Sequence, residues 1–123
     1  MIYKTKAFQS KFKKCSIGDE QLVEACREIA AGLNDGDLGD YLYKKRVAMP
    51  GQGKRGSYRT MLGAVIGEKY FFLYIFAKSD TANVSNKEKL ALQELATQFI
   101  GLDQAKIEHL LETGDLIKIE EKQ

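Results

Sequence analysis

Apolar positions along this chain repeat with helical spacing at its two ends and with strand spacing in the middle, and each change of period marks an element. Phe8 and Phe12 are four apart among lysines, so residues 7–14 read as a short helix behind a short strand at 1–6 that carries Ile2. Leu22, Val23, Cys26, Ile29 and Ala30 share one helical face, with Asp19 placed to cap that helix and Gly32 to end it. Residues 33–40, LNDGDLGD, have the composition of a loop. Residues 41–49 (YLYKKRVAM), 58–66 (YRTMLGAVI) and 70–78 (YFFLYIFAK) read as strands, joined by a Gly-rich turn at 50–57 and a tight connection at 67–69. The third of these is apolar on both faces, as a central strand is, and the short turns favour an antiparallel meander. Ser85 and Glu88 form a capping box for a helix through Leu92, Leu95, Ala96 and Phe99 to Gly101. Asp103 caps a shorter helix with Ile107, Leu110 and Leu111 inward and Gly114 at its end, and LIKI at 116–119 adds a last strand. The predicted architecture is one α+β domain over residues 1–123, a small curved antiparallel or mixed sheet with N-terminal and C-terminal helices packed on it.

Composition narrows the class. The chain has 123 residues, 44% apolar and 29% charged, with a single proline, which suits one globular domain and excludes wholesale disorder. Its longest apolar run, residues 70–77, falls far short of the ~20 residues that cross a bilayer. The early lysines lead into no apolar signal region, so the expected address is the cytoplasm, with no membrane partner. Cys15 and Cys26 form no CxxC pair and His109 is the one histidine, which disfavours a His/Cys zinc site and a Cys–His catalytic pair. Cys26, on an apolar helix face, reads as a buried structural thiol, and His109 as a surface or semi-buried structural residue.

Net charge is +2, but its distribution is uneven. Residues 1–14 hold five lysines and no acid, and residues 15–43 hold seven acids against Arg27 alone. Residues 41–67 then carry Lys44, Lys45, Arg46, Lys54, Arg55 and Arg59 with no acid, the pattern of a surface that faces a polyanion. Strand alternation puts Lys44 and Arg46 on one face and turns Lys45 away with Tyr43. Arg59 shares a face with Met61, opposite to Tyr58 and Thr60, so Lys44, Arg46 and Arg59 can meet on one concave surface. Sheet twist can bring Lys78 to the same edge. The glycines of PGQGKRGS let Lys54 and Arg55 come close to a phosphate backbone, although the stretch lacks the P-loop spacing.

The order of these motifs resembles a known family. YKKRV at 43–47, GKRGSYR at 53–59, an apolar strand ending FAK at 76–78 and a capped helix with Glu88 look like the RelE/ParE superfamily of bacterial toxins, its RelE-like, HigB-type branch in particular. Members of that branch read GKSGGYR where this chain has GKRGSYR; Arg55 and Ser57 are the departures, and both keep the turn and the terminal YR. The resemblance spans residues 1–100, with the C-terminal helix and LIKI typical of the branch. It implies a toxin of a type II toxin–antitoxin pair and an endoribonuclease that cuts messenger RNA, commonly on the ribosome. It implies no metal and no cofactor. The ribose 2′-oxygen attacks the neighbouring phosphate to leave a 2′,3′-cyclic phosphate, which needs a proton acceptor, cations on the phosphorane and a proton donor to the 5′-oxygen.

By motif position, Lys44 and Arg46 match the family's paired basic residues, Arg59 the arginine of its YR motif and Lys78 the basic residue that closes the next strand. The implied roles are Lys44 or Arg46 at the 2′-hydroxyl, Arg59 on the scissile phosphate and Lys78 at the leaving oxygen. Lys54 and Arg55 would anchor RNA backbone, and Tyr58 would stack on a base if its ring were exposed, though alternation favours core packing. The implied partners are a cognate antitoxin, expected to be a helix-turn-helix protein, together with messenger RNA and the ribosome; operator DNA would be reached only through the antitoxin. Two other readings stand beside this one: a ParE-like toxin that inhibits DNA gyrase on the same fold, and a non-catalytic nucleic-acid-binding regulatory module.

Overall fold

The computed structural model describes residues 1–49, 51, 53–77 and 84–121, with residues 53–56 described by their backbone alone. The described elements run β1 (Ile2–Thr5), α1 (Lys6–Phe12), α2 (Asp19–Ala30), β2 (Gly36–Gly39), β3 (Leu42–Met49), β4 (Gly53–Val65), β5 (Lys69–Ala77), α3 (Asn86–Ile100), α4 (Gln104–Thr113) and β6 (Leu116–Ile119). The six strands make one open mixed sheet in the order β2-β3-β4-β5-β1-β6. The antiparallel meander is β3–β4–β5, as the short turns suggest. β1 departs from it: this N-terminal strand pairs parallel to β5 and antiparallel to β6, so the two ends of the chain complete the sheet together.

Each face of the sheet carries its own core. α1 and α2 cover one face, where Phe8, Phe12, Leu22, Cys26 and Ile29 pack on Val47, Leu62, Phe72 and Ile75. α3 and α4 cover part of the other, where Ala96 and Ile107 pack with Tyr3, Leu42, Met61 and Phe71. Helix ends follow local chemistry. Ser85 Oγ accepts from the Glu88 amide at 3.1 Å while Glu88 Oε1 accepts from the Ser85 amide at 3.1 Å. Asp103 Oδ1 accepts from the Lys106 amide at 2.9 Å, and Gly114 ends α4 at φ 85°.

Four expectations are corrected. Asp19 is not the cap of α2: Gly18 takes that position, its amide donating to Gln21 Oε1 at 2.6 Å, and the Asp19 carboxylate instead accepts from buried Lys4 at 2.8 Å. In the same helix Ala25 is buried and Ala30 exposed. Residues 33–40 are not all loop, because backbone pairing of Gly36 with Lys44 and Asp37 with Tyr43 makes β2 an edge strand despite its turn-rich composition. The Gly-rich segment also runs into strand: Met49 pairs with Gly53, so β4 begins at Gly53, and Gly51 before it has φ 79°.

The sheet and α3 approach each other closely at Gly63. A Cβ there would lie 2.9 Å from the Ala96 Cβ and 3.1 Å from its Cα, so α3 rests on β4 with no room for a methyl group. Gly63→Ala is expected to destabilise the fold by ~1–3 kcal/mol through overpacking, and Ala96→Gly in the same chain to recover part of it. Urea unfolding of the two single variants and the double variant measures the coupling. Equal stability of Gly63→Ala and wild type would show that the layers are not in contact there.

Candidate active site

The register of β3 on β4 organises the basic residues. Lys44 pairs with Met61 and Arg46 with Arg59, so all three cations stand on the face that carries α3. Lys45, on the opposite face, is 3% exposed, its ammonium bound to Glu28 Oε1 at 2.7 Å and to the Leu33 carbonyl at 2.8 Å. Lys45 is thus a structural residue inside an otherwise functional-looking run.

Arg46 and Arg59 occupy directly opposed positions of an antiparallel pair, an arrangement that like charges destabilise. Asp35, in the loop before β2, relieves one of them. Its Oδ2 accepts from the Arg46 amide at 2.7 Å and its Oδ1 from Arg46 Nε at 3.1 Å, which fixes the plane of the guanidinium. Burial pushes the Asp35 carboxyl up, but the amide and guanidinium of Arg46 and the Lys45 charge outweigh this and hold it below the usual carboxylate range. Nothing similar serves Arg59: among the described residues its Nη1 is buried with no hydrogen-bond partner. A buried donor without an acceptor costs about 1–3 kcal/mol, more when charged, and an anionic oxygen placed there removes the cost. Lys44 has neither ion pair nor side-chain hydrogen bond among the described residues, and its stem runs beside Gly36 of β2.

The other sequence candidates fall elsewhere. Tyr58 packs on the α1/α2 face and its hydroxyl accepts from the Ser16 amide at 3.3 Å, so it stands behind Arg59 and not beside it. The Lys54 and Arg55 side chains and all of Lys78 lie outside the described residues. Burial pushes the Cys26 thiol up to about 12, which leaves it un-ionised, and His109 is exposed on α4. Among the described residues no group of three or more His, Cys, Asp or Glu side chains is placed to hold a metal ion. None of the described helices is long and apolar enough to cross a membrane.

Two contributors were not visible in the sequence. Asp35 sits in an acidic loop with nothing to separate it from Asp37 or Asp40. Tyr74 reaches the basic face because β5 bulges: Met61 pairs with Tyr74 but Leu62 with Phe72, leaving Leu73 as the extra residue. Without the bulge, alternation from Phe72 would have put Tyr74 on the α1/α2 face.

The fold and this face together define a small α+β protein whose sheet carries a partly buried cluster of cations on the face of α3. Residues 1–119 match the family model described as the RelE toxin of the RelE/RelB toxin–antitoxin system, and the chain belongs to that family. It is accordingly the toxin partner of such a pair and has a cognate antitoxin. No curated protein matches the chain.

Because Asp35 is depressed in the folded state, its stabilising contribution is present above the unfolded carboxyl value of about 4 and is lost as pH falls through the folded one. Asp35→Asn should therefore lower stability by ~1–3 kcal/mol at pH 7. The gap to wild type should close as the pH is taken well below 4. Denaturant unfolding at pH 7, 5 and 3 checks this; a gap that stays constant with pH would remove the Asp35 carboxylate from the account.

Proposed function

We propose that the protein is a metal-independent endoribonuclease that cuts messenger RNA, acting on the ribosome, and is silenced by a helix-turn-helix antitoxin. The observation that carries the reading is the buried, unpartnered Arg59 Nη1 standing opposite Arg46 on one face. Asp35 already serves Arg46, so the anion this face lacks is one for Arg59 Nη1, and a phosphodiester is the anion such a toxin meets.

In this reading Arg59 and Arg46 hold the non-bridging oxygens of the scissile phosphate, where negative charge grows in the phosphorane. Lys44, two residues before Arg46 on the same face, takes the proton of the 2′-hydroxyl, since an arginine stays protonated. The 2′-oxygen bonds to phosphorus, the bond from phosphorus to the 5′-oxygen breaks, and a cyclic phosphate and a 5′-hydroxyl leave. Lys78 supplies the proton to the 5′-oxygen. Lys54 and Arg55 hold the flanking RNA backbone, and operator DNA is met only through the antitoxin.

Removal of one contact made in the transition state lowers a rate by ~10²–10³, whereas removal of a peripheral charge weakens encounter in a salt-dependent way. Arg59→Ala is expected to abolish growth arrest and messenger-RNA cleavage while keeping the fold and antitoxin binding. Lys13→Ala, an exposed change at the C-terminal end of α1, should stay toxic. Primer extension on induced cultures, with circular dichroism for folding, reads both. Cleavage by Arg59→Ala at the wild-type level would overturn the site, and arrest with a DNA-damage response but intact RNA would move the gyrase reading ahead.

A further inference from the structure

The bulge at Leu73 does more than interrupt the β4–β5 ladder. It sets Leu73 and Tyr74 on the same face in succession, so Tyr74 and Phe76 both turn towards the face of Lys44, Arg46 and Arg59. Register makes two rows across the sheet: Lys44–Met61–Tyr74, and Arg46–Arg59–Phe76. Tyr74 is half-buried, and its ring lies 5.6 Å from that of Phe76 at an interplanar angle of 40°. β1 pairs with β5 only as far as Phe72, after which the chain turns into α1, so among the described residues no strand covers β5 beside Tyr74. Into this gap α1 extends Lys11, whose ammonium stands 4.7 Å from the centre of the Tyr74 ring. The same charge reaches Glu88 in the first turn of α3, where it adds to the Ser85 hydrogen bonds in holding that carboxyl low. Lys11 therefore lies between the Tyr74 ring and the first turn of α3.

We propose that Tyr74, backed by Phe76 and capped by Lys11, is the seat on which a single-stranded RNA substrate stacks a base next to the phosphate held by Arg59. This rests on the ribonuclease reading above and adds to it where the base goes. A ring two strands from Lys44 lies ~10 Å away along the hydrogen-bonding direction, within the span of neighbouring nucleotides. The Lys11 ammonium on the ring is a cation–π contact made by a long, exposed side chain, so it gives way easily to a base. Once displaced it is free to pair with a phosphate of the same strand. The exchange replaces a weak contact by a stack and an ion pair, and the seat accepts any base because every base has a π face.

The test uses a fluorescein-labelled 2′-O-methyl RNA eight-mer, which binds but has no 2′-proton to lose, and a set of the same oligonucleotide with one abasic position walked along it. Loss of one stacking platform weakens single-strand binding by roughly 5- to 100-fold, so Tyr74→Leu, which keeps apolar bulk, should bind at least fivefold more weakly, and Tyr74→Phe like wild type. One abasic position should cost the wild type a similar factor and Tyr74→Leu almost nothing. Lys11→Gln should reduce the slope of log affinity against log salt by about 0.7. Wild-type affinity in Tyr74→Leu, or equal losses in both proteins at every abasic position, would overturn the base seat while wild-type cleavage of RNA kept the ribonuclease reading. A wild type that neither binds nor cleaves RNA would overturn both. The abasic series on unaltered protein decides the matter even if Tyr74→Leu is unstable.

Discussion

One buried ammonium ties the two sides of this molecule together. Lys45 points away from the cationic face, yet its contacts with Glu28 of α2, the Leu33 carbonyl and, at 3.9 Å, Asp35 draw the loop before β2 against β3. A lysine 3% exposed is tolerable only with such partners, and removal of one partner from a buried pair costs ~3–5 kcal/mol. The loop held this way carries Asp35 to the strand edge, where its carboxylate turns round to Arg46 on the other face. α2, the loop and the cationic row are thereby one mechanical unit, linked through adjacent residues of a single strand.

The electrostatic arrangement of that row is frustrated, and in an instructive way. Arg46 faces Arg59 across the ladder; Asp35 compensates the first and, among the described residues, no side chain or carbonyl satisfies Nη1 of the second. A fold selected for stability alone would place an acid or an apolar residue at one of these positions. Retained repulsion and an unpaired donor make the face a poor resting surface and a good receptor for a multivalent anion, which adds hydrogen bonds and cancels charge together. The residues beside the row are preorganised: Lys44 leans on β2, Phe76 is buried, and Tyr74 is turned by a bulge rather than by a flexible loop.

The mixed topology also has a consequence for stability. β1 lies between β5 and β6, so β1 and β6 extend the sheet at one end as neighbours, with Ile2 and Ile119 both buried in the α1/α2 core. Such pairing joins residues more than a hundred positions apart, so its loop-closure entropy is larger than that of the central meander. The cationic row sits on that meander, in strands joined by short turns.

Much was legible in the chain because it depends on neighbours in sequence. Alternation over YKKRV and SYR places Lys44, Arg46 and Arg59 on one face wherever the hairpin sits, and turns Lys45 and Tyr58 to the other. The capping box of Ser85 and Glu88, the Asp103 cap and the left-handed Gly114 are equally local, since each needs only a few residues of backbone. The tertiary structure alone decided what rests on pairing with distant segments. Composition made 33–40 a loop, and only β3 beside it made a strand of Gly36–Gly39 and brought Asp35 to Arg46. Alternation from Phe72 alone points Tyr74 to the other face, because the extra residue at Leu73 exists only relative to the register of β4. Lys11 reads as one more solvated charge on a short helix until α1 is packed across the end of β5, where its ammonium meets a tyrosine ring sixty-three residues away.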